Sequence, residues 1–154
     1  MAFVLHSSDF PPGALIPIRF TCSGSDISPA LLWSDPPPET DSLALICEDP
    51  DAPRGLWVHW VIYNIPKDTR GLLEAIPKVL ELPDGTRQGV NDFGRTGYAG
   101  PCPPPGHGKH RYFFRLYALD VSLMLLPDAT RADLLQAMEG YILAEAELMG
   151  LYER

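Results

Sequence analysis

The chain has 154 residues, 45% of them hydrophobic, which suits one compact domain over residues 1–154 whose core holds without disulfide or metal staples. Lys plus Arg number 12 against 20 Asp plus Glu, a net charge of -8, so the long-range field repels nucleic-acid phosphates and anionic lipid surfaces. Nucleic acid is excluded as a partner, and no apolar run approaches the roughly 18 residues that membrane insertion needs.

At the N-terminus, MAFVLHSSDF has no basic start and no long apolar segment before a cleavage site, so a cytoplasmic location is expected. Beyond it, 17 prolines and 13 glycines fall mostly in clusters: DFPPG (9–13), DPPPE (35–39), DPDAPRG (49–55), LPDG (82–85) and GPCPPPG (100–106). The apolar runs between them predict strands at LIPIRF (15–20), SLALICE (42–48), LWVHWVIYNI (56–65) and RYFFRLYALD (111–120). The 56–65 run is apolar on both alternating faces, Trp57, Val61 and Tyr63 on one and Val58, Trp60 and Ile62 on the other. It reads as a central strand with His59 buried on the Trp57 face.

A helical turn is expected at Asp68–Ala75, docking through Leu72, Leu73 and Ile76. Thr130 with Asp133 reads as an N-terminal cap, and Leu134, Met138, Tyr141, Ala144, Leu148 and Tyr152 recur at helical spacing, with Gly140 splitting two C-terminal helices. Strands followed by terminal helices predict a mainly β, α+β domain.

The familiar catalytic signatures are missing: no G-x-S-x-G, no phosphate loop, no H-E-x-x-H and no G-x-G-x-x-G after a strand. Cys22, Cys47 and Cys102 are odd in number and irregularly spaced, so free reduced thiols are expected. His107 and His110 lie in a loop, where their spacing fixes no metal geometry, and neither metal nor other cofactor is expected.

What remains is a set of ionisable groups beside rigid turns. Asp49 ends one predicted strand, with Pro50 and Pro53 fixing the backbone beyond it, and His110 enters another after a loop stiffened by prolines. If those strands flank the His59 strand, one carboxylate and two imidazoles converge at the sheet's edge. Imidazoles donate hydrogen bonds to anions, and a carboxylate orients the ring, so the trio suits a small anion. DPDAP also reads as an Asx-type turn, and a histidine in an apolar strand as a satisfied core residue.

At these residues the chain resembles the phosphatidylethanolamine-binding protein family, also called the Raf kinase inhibitor-like family. The motifs are FTCSGSDISPALLW (20–33), DPDAP (49–53), WVHW (57–60), NDFG (91–94), YAGPCPPPGHGKHRYFFRLYALD (98–120) and GYILAEAELMGLYER (140–154), and FTCSG, NDFG and the last of these look most like the bacterial and archaeal branch. The resemblance implies a large antiparallel Greek-key sheet packed with a smaller sheet, peripheral helices, and a pocket for a phosphate-like head group. It implies that Asp49, His59, His110 and Tyr112 line that pocket with Gly100 and Pro101 on its rim, and it suggests a homodimer. Asp51, Pro53 and Arg111 read as support, with Arg111 holding Asp51, while Cys102 and His107 read as bystanders.

The function expected is non-catalytic binding of a small anionic or phosphorylated ligand. The alternatives are inhibition of a kinase or protease through the surface, or a hydrolase or isomerase using Asp49 and the two histidines as acid and base.

Overall fold

The computed structural model describes residues 2–154. The centre of the fold is a sheet of five strands, and its middle strand β3 (Ser42–Asp49; numbered after β1 and β2, given below) is buried at all eight positions. Antiparallel partners flank it, β4 (Trp57–Pro66) on one side and β7 (His110–Leu119) on the other. The short β6 (Arg87–Gln88) extends the sheet beyond β4, and β8 (Ile142–Tyr152) extends it beyond β7. The order β6-β4-β3-β7-β8, in which β7 returns beside β3 after the β3, β4 and β6 series, is a Greek key.

Continuous apolar sequence in β3 is needed because both of its faces are covered. Leu43, Leu45 and Cys47 face a second sheet formed by β1 (Leu5–His6), β2 (Leu31–Trp33) and β5 (Gly71–Leu72), where Leu5, Leu31, Trp33 and Leu72 complete one core cluster. Ala44 and Ile46 face the other way, onto Leu134 and Met138 of α1 (Arg131–Met138). That helix starts at a capping box: Asp133 N donates to the Thr130 hydroxyl, and Thr130 N donates to the Asp133 carboxylate. Glu48, buried on the helix side, accepts from Arg131 Nε at 2.8 Å and ties α1 to the sheet.

The α+β architecture of two antiparallel sheets with a helix toward the C-terminus is as expected, and three local readings are corrected. Residues 142–152 form β8, not a second helix. Ala144, Leu148 and Tyr152 are spaced by four, which fits one helix face and equally one strand face, and the intervening inward positions hold only Ala146 and Gly150. Gly140, at φ 86°, turns the chain out of α1. Residues 15–20 are not one strand, because Pro17 has no N–H for a ladder and leads into a single 3-10 turn at Ile18–Phe20. The segment at 68–75 contributes β5 instead of a helical turn.

The cysteine expectation is also corrected. Cys22 and Cys102 form a disulfide across a sequence separation of 80, with Cα atoms 5.3 Å apart. Cys47 alone is free, and burial pushes its thiol pKa up. Among the described residues, no helix is long and apolar enough to cross a membrane.

Candidate functional site

Antiparallel pairing brings the end of β3 and the beginnings of β4 and β7 to the same edge of the sheet. Asp49 lies opposite Trp57, and Glu48 opposite Phe113, so Asp49, His59, His110 and Tyr112 meet there. The pairing advances from Cys47–Trp60 to Glu48–Val58, which leaves His59 as the extra residue of a bulge. The expected alternation is therefore broken: Val58 joins the Val61 and Tyr63 face, and His59 is re-aimed into a cavity.

That cavity has a volume of about 340 Å³ and is lined by Asp49, His59, His110 and Tyr112 on the sheet side. Ala52, Pro53 and Arg54 of the DPDAPRG turn form a second side, Trp57 and Phe93 a third, and Cys102, Pro103 and Pro104 a fourth. Gly100 and Pro101, expected on the rim, are not among the residues that line the cavity. Gly100 N donates to Asp26 Oδ1 at 2.6 Å, and a Cβ on Gly100 would collide with the Phe20 carbonyl. Pro101 O accepts from Cys22 N at 3.0 Å, and the adjacent disulfide holds the wall to the loop after the 3-10 turn.

Asp49 is 3% exposed; its Oδ1 accepts from Asp51 N at 2.7 Å and its Oδ2 from His110 Nδ1 at 2.7 Å. His110 Nε2 lies 2.6 Å from His107 Nδ1, so His107 is a direct partner of the site and not a bystander. Its position depends on a tight loop in which Gly106 and Gly108 adopt φ 76° and 88°. His59 Nδ1 donates to Ala99 O at 2.6 Å, and burial lowers its pKa despite that bond. The rings of His59 and Tyr112 meet edge to face at 5.3 Å, and Phe93 packs edge-on against both Trp57 and His59.

Among the residues lining the cavity, two buried donors have no hydrogen-bond partner, the Tyr112 hydroxyl and Trp57 Nε1; Thr40, Tyr63 and Arg87 hold further unpaired polar atoms away from it. Burial first, then the charge of Asp49, whose carboxylate lies beside the hydroxyl, raises the Tyr112 pKa, so the phenol stays protonated. Outside the cavity, Arg111 Nε and Nη2 donate to the two Asp51 oxygens at 2.9 and 2.8 Å, and this pairing pulls the Asp51 pKa down to about 2.

The sequence reading missed Arg54, Trp57 and Phe93 as wall residues. Trp57 opens WVHW and Phe93 sits in NDFG, so both lie inside recognised motifs, while Arg54 directly follows DPDAP. Among the described residues, no cluster of three or more His, Cys, Asp or Glu side chains is placed to hold a metal ion.

The family model for phosphatidylethanolamine-binding protein matches residues 6–153. The chain belongs to the phosphatidylethanolamine-binding protein family. A UPF0098 protein of Methanothermobacter thermautotrophicus is 60% identical over 150 residues, covering 97% of this chain and 98% of that protein. Among solved structures, a homologue of the family from Chlamydia trachomatis is 45% identical with a TM-score of 0.90, covering 99% of this chain and 98% of that one. YbcL of E. coli, described as a member of the mammalian family, is 32% identical with a TM-score of 0.92 and covers 100% and 99%. Membership supports a ligand-binding or regulatory role for a chain of this fold.

Proposed function

We propose that the cavity at the Asp49 edge of the sheet binds a small anionic or phosphorylated ligand, such as phosphate or a phosphoethanolamine-like head group, without transforming it. The observation that carries this reading is the pair of unsatisfied buried donors, Tyr112 OH and Trp57 Nε1, in residues that line a cavity of about 340 Å³. A buried donor without a partner costs stability, and a ligand oxygen removes that cost. Arg54, exposed at the cavity and without a carboxylate partner among the described residues, supplies a positive charge. The apolar surfaces of Pro53, Phe93, Pro103 and Pro104 lower the local dielectric and strengthen each polar contact inside.

Isothermal titration with phosphate and phosphoethanolamine tests this. Saturable binding is expected, weakened by about tenfold in Tyr112→Phe, which deletes one donor and keeps the ring. No heat with either ligand would sink the reading.

A second reading, a regulator restraining another protein through its surface, draws on a different place. Met124 is 99% and Leu126 82% exposed on the segment leading to α1, an unusual display of large apolar side chains. Inhibition of a protease or kinase that survives His59→Ala but is lost in Met124→Ser with Leu126→Ser would favour this surface, and unchanged inhibition in the surface variant would dismiss it. Homodimer formation is carried as part of the same proposal, and light scattering in solution reads it directly. The cytoplasmic placement is likewise a proposal: the Cys22–Cys102 bond fits the cytoplasm of a hyperthermophile, and in a mesophile it fits an oxidising compartment.

A further inference from the structure

The hydrogen bonds that orient the two pocket histidines also decide what kind of anion they accept. A carbonyl oxygen only accepts, so the contact from His59 Nδ1 to Ala99 O at 2.6 Å requires the proton on Nδ1. The neutral ring then offers a lone pair, not a proton, at Nε2. That nitrogen has no hydrogen-bond partner among the described residues, and the ring lines the cavity. Burial favours this neutral form over the opposing pull of the Ala99 and Gly100 carbonyls and the Asp49 and Asp26 charges.

His110 is committed at both nitrogens, Nδ1 to Asp49 Oδ2 at 2.7 Å and Nε2 to His107 Nδ1 at 2.6 Å. The protons left for a ligand come from the Tyr112 hydroxyl, the Trp57 indole and the Arg54 guanidinium. The acceptors left are His59 Nε2 and the remaining lone pairs of Asp49, whose two oxygens each hold one hydrogen bond already. Around His59 stand Asp49 from β3, His110 and Tyr112 from β7, Arg54 from the turn after β3, and Asp26 from the loop after the 3-10 turn.

We infer that the cavity selects an oxyanion that still carries a proton, inorganic phosphate or a monoprotonated phosphate monoester, over a fully ionised tetrahedral anion such as sulfate. This deepens the anion-binding reading above and rests on it. A P–O–H group donates to His59 Nε2 while its other oxygens accept from Tyr112, Trp57 and Arg54. A sulfate oxygen in the same place sets one lone pair against another and leaves the buried acceptor unpaired, and sites built to hydrogen-bond a ligand hydroxyl reject analogues lacking it by large factors. The buried Asp49 carboxylate adds repulsion for any ligand oxygen that brings no proton.

Isothermal titration of the full chain with sodium phosphate and sodium sulfate at about pH 8 compares two tetrahedral dianions that differ by one proton. Phosphate is expected to bind, and sulfate to bind about a hundredfold more weakly or not at all. Equal affinities overturn the selectivity while leaving the anion-binding reading intact; binding of neither anion overturns both. His59→Gln, whose amide can present an N–H, is expected to bring the two affinities within about threefold of each other. An unchanged ratio in that variant overturns the assignment of the acceptor to His59, and the wild-type comparison decides the selectivity even where the variant does not fold.

Discussion

His110 donates through Nδ1 to Asp49 Oδ2 at 2.7 Å, with both side chains buried at the edge of the central sheet. The bond joins the last residue of β3 to the first residue of β7 and fixes the ring that forms one side of the cavity. Asp49→Ala removes the acceptor of both His110 Nδ1 and Asp51 N. It is expected to cost about 2–3 kcal/mol in urea unfolding, since both donors stay behind without a partner. A loss well under about 1 kcal/mol would contradict the orienting role given to Asp49.

The Arg111 pairing makes Asp51 a source of acid sensitivity. Its folded pKa of about 2 lies below the ordinary 3.8, so it contributes stability that is complete above 3.8 and lost as the pH falls toward 2. Arg111→Ala is expected to flatten the decline of the urea midpoint across that window. Parallel declines in the two proteins would count against it.

His59 responds to pH in a neighbouring window. Burial holds its folded pKa below the ordinary 6.5, so the unfolded chain takes up the proton first, and stability falls as the pH drops below 6.5. An NMR titration of the His59 ring is expected to give a midpoint below 6.5 with the Nδ1–H tautomer above it. A midpoint above 6.5 would refute the neutral, acceptor form.

The disulfide is checked by counting thiols. Denatured, unreduced protein is expected to react at one cysteine, Cys47, because Cys22 and Cys102 are joined. Reactivity at all three would contradict the bond. Replacing Cys22 and Cys102 by serine is expected to cost about 2–5 kcal/mol, since the bond closes a loop of 80 residues.

Much of the fold could be read from the chain because β3, β4 and β7 are continuous apolar runs bounded by Pro and Gly clusters. The smaller sheet left no such mark: β1 and β5 have two residues each and β2 has three, too few for a period to show. β8 failed for a different reason. Spacing by four satisfies helix and strand alike, and the decisive contact, the pairing of residues 142–152 with β7, is not local.

The candidate site divides in the same way. Asp49, His59, His110 and Tyr112 stand in motifs that the family resemblance picks out, and strand pairing brings them together. The bulge that turns His59 inward, the turn that brings His107 onto His110, and the bond from Cys22 to Cys102 all depend on backbone geometry or on partners far along the chain.

The most direct test of the central claim is a crystal structure of the protein with saturating phosphoethanolamine. The phosphate is expected between His59 and His110, with oxygens within about 3.2 Å of Tyr112 OH and Trp57 Nε1. A cavity free of ligand, or an ordered phosphate bound elsewhere with those two donors still unpaired, would contradict it.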